Sequence, residues 1–169
     1  MARCGQAFDS VADLALWAPD FTWTPYPLAV AGLPGAARQG ADGALIPVVQ
    51  TDGIVLALAP DTQARLRALD CTSNNLGWGI DWAALGWAYA QGRMVLRDSA
   101  LCVTHHRSRS YGSNEAAEQM RRFFEGLSEA ERTQITLLNT CLLRQMDALR
   151  PRWRRAWNAL RGKQDQRLI

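Results

Sequence analysis

The sequence contains few of the residues that build disulfide frameworks, zinc sites or membrane spans. Its four cysteines are far apart and form no Cys-x-x-Cys pair: Cys4, Cys71, Cys102 and Cys141. This spacing argues against a zinc knuckle and gives no reason to expect disulfides. No apolar run approaches the ~20 residues of a membrane span, and Asp9 and Asp13 are untypical of a signal peptide. We therefore expect a reducing, cytoplasmic setting.

Lysine is nearly absent, because 18 of the 19 basic residues are arginine and many of these lie near the C-terminus. The net charge of +3 is too small to define a partner, and no nucleic-acid partner is expected. Hydrophobic residues make up 48% and charged residues 21% of the 169, which excludes a disordered chain. This length and composition predict a globular chain with a real core.

Apolar, β-branched segments alternate with helical patterns along the chain. Residues 6–16 read as a short helix running into a strand. The strands predicted for the sheet are residues 45–50, 53–59, 94–97 and 101–105. Helices are predicted over 62–69, 81–91 and 114–126, and another begins at a capping box, Ser128 to Glu131. This order predicts an α/β fold with a mixed sheet and flanking helices over 1–127, a helical extension over 128–163 and a tail over 164–169.

The loop before the helix at 81–91 concentrates residues that tolerate left-handed backbone angles. It contains Asn74, Asn75, Gly77, Trp78 and Gly79, and it ends at Asp81 in the first turn of the helix. A capped helix after a tight turn explains this pattern as well as a functional site does. A large ring between two glycines, such as Trp78, is more typical of the wall of a sugar or nucleotide pocket than of a plain turn.

A second loop follows the predicted strand 101–105. His105 and His106 lead into a run that contains Arg107, Arg109 and Tyr111. Guanidinium groups can hold a diphosphate through charge-assisted hydrogen bonds. The alternatives are an ordinary solvated basic loop and a strand-end histidine bonded to the backbone. In α/β sheets, chemistry gathers at loops beyond strand ends, which is where both loops are expected.

Two motifs together resemble the C-terminal half of a GT-A-fold glycosyltransferase of the family 2 type. They are Gly77-Trp78-Gly79-Ile80-Asp81 and, about two dozen residues later, Val103-Thr104-His105. Three segments also resemble the strands around these motifs in that family: Trp17-Ala18-Pro19-Asp20, Thr51-Asp52-Gly53-Ile54-Val55 and Arg97-Asp98. The resemblance covers about residues 14–125 and implies a partial GT-A, Rossmann-like sheet.

The resemblance implies transfer of a sugar from a nucleotide-sugar donor to a sugar or lipid-linked acceptor, with inversion. Asp81 would be the general base, and His105 would bind a divalent cation, Mn²⁺ or Mg²⁺, that bridges the diphosphate. Arg107 and Tyr111 are candidates for the diphosphate. Candidates for sugar contacts are Asn74, Asn75, Gly77, Trp78 and Gly79, together with Asp52, which could instead simply begin a turn with Gly53.

The chain departs from the family pattern in two ways. Ile80 occupies the place of the first of two adjacent acids, and the sequence contains no Asp-x-Asp. The resemblance therefore implies a truncated, acceptor-side half or a non-catalytic remnant that binds a sugar or a partner. Without the Asp-x-Asp motif, the cation is expected to bind poorly and the chain alone to be weakly active.

The C-terminal segment 150–163 combines six basic residues with Trp153, Trp157 and Leu160 at helical spacing. Such a helix can lie on an anionic membrane surface, which would place the protein at the inner face of the membrane. The alternative is that the tryptophans pack onto the domain while the arginines are solvated. A third class of function is therefore a surface-binding module that uses this segment.

Overall fold

The computed structural model describes residues 2–22, 39–40, 42–104 and 112–149. Its helices and strands, in chain order, are α1 (Ala2–Ser10), β1 (Leu14–Phe21), β2 (Leu45–Pro47), β3 (Ala57–Leu58), α2 (Pro60–Arg67), α3 (Ile80–Ala90), β4 (Met94–Val103), α4 (Ser113–Glu125) and α5 (Glu129–Leu149). The predicted fold class, a mixed sheet with flanking helices, is confirmed. His105, Arg107, Tyr111 and the segment 150–169 lie outside the described residues.

The four strands form one sheet in the order β2-β4-β1-β3. The central strands β1 and β4 are parallel, whereas β2 pairs with β4 and β3 pairs with β1 in antiparallel fashion. Seven of the eight residues of β1 are buried, as expected for a strand covered on both faces. Since β2 and β3 lie at opposite edges, the chain between them has to cross the sheet.

Two predicted strands are shorter than expected. The strand at 45–50 ends at Pro47, which has no backbone N–H for the ladder. Residues 48–51 stay buried but leave the ladder after one more hydrogen bond, from Val48 N to Val95 O at 3.2 Å. The strand at 53–59 shrinks to Ala57–Leu58 because Gly53 has a left-handed φ of 72°, which breaks the extended chain.

The strands predicted at 94–97 and 101–105 are one strand, β4. Its pairing with β1 jumps from Pro19–Asp98 to Asp20–Cys102, so three residues, 99–101, have no partner on β1. The Asp98 carboxylate accepts a hydrogen bond from Ala100 N within this bulge, at 3.0 Å. Polar residues in the middle of β4 therefore mark a bulge and not the end of a strand.

The four predicted helices are confirmed with small changes at their ends. Pro60 begins α2, where its missing N–H costs nothing. The capping box of α5 is formed in both directions: Glu131 Oε2 accepts from Ser128 N at 2.6 Å, and Ser128 Oγ accepts from Glu131 N at 3.3 Å. Glu131 also binds Arg65 of α2 through both carboxylate oxygens, which ties α2 to α5.

The sheet separates two hydrophobic clusters. The larger one lies between the sheet and helices α3, α4 and α5, and the smaller one lies under α1. Ile135, Leu138 and Leu142 of α5 belong to the larger cluster, so this helix packs into the same core as the sheet. The division of the chain at residue 127 stays a prediction. Among the described helices, none is long and apolar enough to cross a membrane.

Gly86 of α3 allows α3 and α5 to approach closely. A Cβ atom at this position would lie 2.7 Å from Cγ1 of Ile135 and 3.0 Å from the Glu131 carbonyl oxygen. We expect Gly86→Ala to lower the free energy of unfolding by about 1–3 kcal/mol, because this interface has no room for a methyl group. Urea unfolding measures the change.

Gly5 is the matched control, because it is a helical glycine in α1 whose Cβ would meet no atom within 4 Å. We expect Gly5→Ala to raise the free energy of unfolding by up to about 1 kcal/mol through helix propensity. Equal effects of the two substitutions would contradict the close contact between α3 and α5.

Candidate functional site

The start of α3 is fixed by Gly79, which precedes the helix with a left-handed φ of 85°. A Cβ atom at this position would lie 2.7 Å from Cγ of Met120 and 2.8 Å from Cε1 of Phe124, both in α4. Gly79 is therefore required for two reasons, its left-handed backbone angle and the close contact with α4. Asp81, the second residue of α3, is thereby held in the first turn, as predicted.

The loop before α3 is organised by Asn74. Its side chain is buried, and Nδ2 donates a hydrogen bond to the Trp78 carbonyl oxygen at 2.8 Å. Its backbone carbonyl accepts from Gly77 N at 3.2 Å. Asn75 is exposed, and Trp78 is half-buried against the larger hydrophobic cluster. Asn74 thus holds the loop together, and the sugar contacts of all these residues stay predictions.

Asp81 is a carboxylate with well-defined surroundings at the start of α3. The residue is half-buried, and its Oδ2 atom accepts a hydrogen bond from Nε2 of Gln50 at 2.8 Å. Gly53 lies against the same carboxylate, since a Cβ atom there would be 3.3 Å from both Cγ and Oδ2 of Asp81. The crossing segment between β2 and β3 therefore passes next to the first turn of α3.

Burial raises the pKa of Asp81 from 3.8 to about 6. Hydrogen bonds from the Trp82 amide and from Gln50 act in the opposite direction, and the nearby Asp52 raises the pKa slightly further. A carboxylate with this pKa is still ionised at neutral pH but binds a proton more readily than an ordinary aspartate. This is the property that a general base needs.

Arg97 is a buried charge on the α3 side of β4. Only 1% of the residue is exposed, and its Nε atom lies 3.8 Å from Oδ1 of Asp20 at the end of β1. Burial lowers the pKa of Arg97, while the charges of Asp20 and Asp52 raise it. Its Nε and Nη2 atoms have no hydrogen-bond partner within the described part of the chain. Asp52 therefore acts electrostatically on both Asp81 and Arg97, and Asp20 acts on Arg97.

Three of these residues were not predicted as site residues: Gln50, Asp20 and Arg97. Gln50 continues an apolar segment, where a buried amide needs a partner, and Arg97 interrupts the apolar run Met94-Val95-Leu96. A polar residue within an apolar segment was therefore the sequence signal that could have pointed to Gln50 and Arg97. The sequence could not show that Asp81 is the partner of Gln50, because the two residues are 31 positions apart.

A cavity of about 480 Å³ lies on the α1 side of the sheet and is not lined by Asp81. Three of its four charged side chains pair with one another, since Arg3 binds Asp98 at 2.7 Å and Asp42 at 3.0 Å. The pairing of Arg3 with Asp98 explains how α1 is fastened to β4.

The main ligand predicted for the cation is not among the residues that the structure describes. His105 lies outside the described residues, as do Arg107, Arg109 and Tyr111, so the expected approach of His105 to Asp81 stays a prediction. In residues 2–22, 39–40, 42–104 and 112–149, no cluster of three His, Cys, Asp or Glu side chains could hold a metal ion.

Replacing Asp81 should stabilise the fold in a pH-dependent way. Since the folded state raises the pKa of Asp81 from 3.8 to about 6, ionisation of Asp81 costs stability as pH rises through this window. We expect Asp81→Asn to be more stable than wild type by at most about 3 kcal/mol at pH 7.5, and equally stable near pH 3.5. Denaturant unfolding at both pH values tests this, and a pH-independent difference would contradict the raised pKa.

A methyl group at Gly53 should disturb the Asp81 carboxylate. Gly53 has a φ of 72° and packs against Asp81, whereas Gly92 has a φ of 68° and no atom within 4 Å of its Cβ position. Both alanine variants pay for the left-handed angle, at about 1–2 kcal/mol. Only Gly53→Ala should also shift the carboxyl ¹³C resonance of Asp81 in NMR spectra. A shift of equal size in Gly92→Ala would show that the effect is not local.

No protein-family model matches the chain, and no curated protein matches it in sequence. The resemblance to glycosyltransferases, which depends on the loop at Asp81 and the motif at His105, therefore stays a prediction. The arrangement of Gln50, Gly53 and Asp81 is an observation that does not depend on any such match.

Proposed function

We propose that this chain is a glycosyltransferase-like protein in which Asp81 is the general base. The observation that carries the proposal is the half-buried Asp81 carboxylate, which has a pKa of about 6 and is held by Gln50 at the start of α3. A base of this kind suits removal of a proton from a hydroxyl group whose acidity rises as it reacts. The resemblance of the Gly77–Asp81 loop supplies the reaction class.

In the proposed reaction an acceptor hydroxyl oxygen attacks the anomeric carbon of the donor sugar. The bond from that carbon to the nucleoside diphosphate breaks, and the diphosphate leaves with the bonding electron pair. Asp81 takes the proton from the hydroxyl as the new carbon–oxygen bond forms. Attack from the side opposite the leaving group inverts the anomeric centre.

The surroundings of Asp81 support recognition of a polar, ring-shaped ligand. Trp78 is half-buried in the loop that precedes the base, and Asn75 next to it is exposed. An indole ring can pack against the apolar face of a sugar while amides and carboxylates bind its hydroxyl groups. Asp52 and the exposed Ile54 and Val55 lie in the segment that passes Asp81. The diphosphate contacts proposed for Arg107 and Tyr111 and the membrane contact of 150–163 belong to the same proposal.

Nucleotide-sugar binding is the first test. We expect at least one of a panel of UDP-, GDP- and TDP-linked sugars, each measured with and without Mn²⁺, to raise the melting temperature of the wild-type chain. The variant Asp81→Asn should show the same shift, because a general base contributes little to binding of the donor. If no nucleotide sugar changes the melting temperature with or without Mn²⁺, the proposed function is wrong.

Turnover separates a transferase from a binding module. Release of nucleoside diphosphate, with water or a sugar as acceptor, should fall about 10²–10⁴-fold in Asp81→Asn. Asp70→Asn is the matched control, because Asp70 is an exposed aspartate before the same loop. Equal turnover by wild type and Asp81→Asn would exclude Asp81 as the base. Binding without turnover in the wild type would favour the non-catalytic, sugar-binding alternative.

A further inference from the structure

Gln50 is a buried amide with one well-defined partner. It lies in the segment that leaves β2, only 2% of it is exposed, and its Nε2 atom donates to Oδ2 of Asp81 at 2.8 Å. Val48 and Val49, directly before it, are part of the larger hydrophobic cluster, so the backbone that carries Gln50 is fixed by packing. An amide fixed in this way gives its partner a defined orientation.

The Asp81 carboxylate is held from two elements. Oδ2 accepts the hydrogen bond from Gln50, and a Cβ atom at Gly53 would lie 3.3 Å from the same oxygen. Gln50 and Gly53 belong to the same crossing segment, so two residues of one segment lie against this oxygen. The Trp82 amide of α3 also donates a hydrogen bond to the carboxylate. The crossing segment and the first turn of α3 together therefore set the orientation of the carboxylate.

We infer that Gln50 is a positioning residue that holds Oδ2 of Asp81 and thereby fixes the orientation in which the carboxylate accepts the substrate proton. The inference rests on the proposed role of Asp81 as a base. Gln50 does not touch the reacting atoms itself. Its effect on the reaction passes through the orientation and the charge of Asp81.

The chemistry of an amide suits this position. A Lys or Arg donor would form an ion pair with Asp81 and lower its pKa, which would make it a weaker base. An apolar side chain would leave Oδ2 without a donor, so the charged form would be less favoured. The neutral Gln50 amide donates a hydrogen bond to the ionised Asp81 carboxylate without forming an ion pair with it. The other end of the amide, Oε1, is buried and has no partner within the described residues, which costs stability.

Other groups near Asp81 also affect its titration, and they stay the same in a titration that compares wild type with a Gln50 variant. Asp52 of the crossing segment raises the pKa of Asp81, and the Trp82 amide of α3 lowers it. Asp52 also interacts electrostatically with Arg97 of β4. None of these groups changes when only Gln50 is replaced.

The test is an NMR titration of the Asp81 carboxyl carbon in wild type and in Gln50→Met, which keeps the length of the side chain and removes the donor. We expect the titration midpoint of Asp81 to move upward, because the lost hydrogen bond favoured the ionised form. Asn139→Leu is the matched control, since Asn139 is also a buried amide with an unpartnered oxygen but lies in α5. An unchanged midpoint in Gln50→Met, or an equal change in Asn139→Leu, would overturn the inference.

A second variant covers the case in which Gln50→Met does not fold. Gln50→Glu keeps the shape and places a second carboxyl against Asp81. At low pH the introduced carboxyl group is protonated and can donate to Oδ2, whereas at neutral pH the two groups compete for one proton. We expect the upper titration midpoint of the pair to lie well above that of Asp81 in wild type. Two independent midpoints near the ordinary value for a carboxylic acid would contradict the contact.

Turnover links the positioning role to the proposed function. With the nucleotide sugar that gives the largest thermal shift, Gln50→Met should lower kcat by about 10- to 100-fold, while donor binding stays within about twofold of wild type. Unchanged kcat would overturn the positioning role. The titration needs no ligand, so it decides whether Gln50 controls the carboxylate even if no nucleotide sugar binds and the proposed function fails.

Discussion

The parallel pairing of β1 with β4 is the constraint on which the rest of the described structure depends. Parallel strands cannot be joined by a tight turn, so the chain between Phe21 and Met94 has to return to the starting edge through other elements. That connection contains β2, β3, α2 and α3. Because β2 and β3 occupy opposite edges, the connection also has to cross the sheet, and the crossing segment is where Gln50 and Gly53 meet Asp81.

This arrangement explains why polar groups are buried in an otherwise apolar core. The crossing segment passes the first turn of α3, and its first residues, 48–51, are buried. Arg97 of β4 and Asp20 of β1 contribute opposite charges that lie close to each other. A buried charge or amide costs stability unless it is compensated. The fold retains several of them at one place, which is typical of a functional site and not of a packing layer.

The sequence predicted the elements better than it predicted their partners. Hydrophobic periodicity and caps located the helices, because these signals are local, and the capping box at Ser128 formed as expected. The strands at 53–59 and 94–105 were less accurate because glycine angles and bulges depend on what the neighbouring strand does. The loop before α3 led to the prediction of Asp81 as a site residue, whereas no local pattern pointed to Gln50. Their hydrogen bond joins segments that only the sheet crossing brings together.

The bulge in β4 divides the strand into two halves with different numbers of neighbours. Up to Asp98, β4 pairs with β2 on one side and β1 on the other, whereas within the described part of the chain Cys102 and Val103 pair only with β1. Amide protons before the bulge are therefore expected to exchange with solvent only when the whole domain opens, and those after it through smaller local openings. The rigid half of β4 carries Arg97. The part that is expected to open more easily, Cys102 and Val103, directly precedes the segment for which the sequence predicts a cation site.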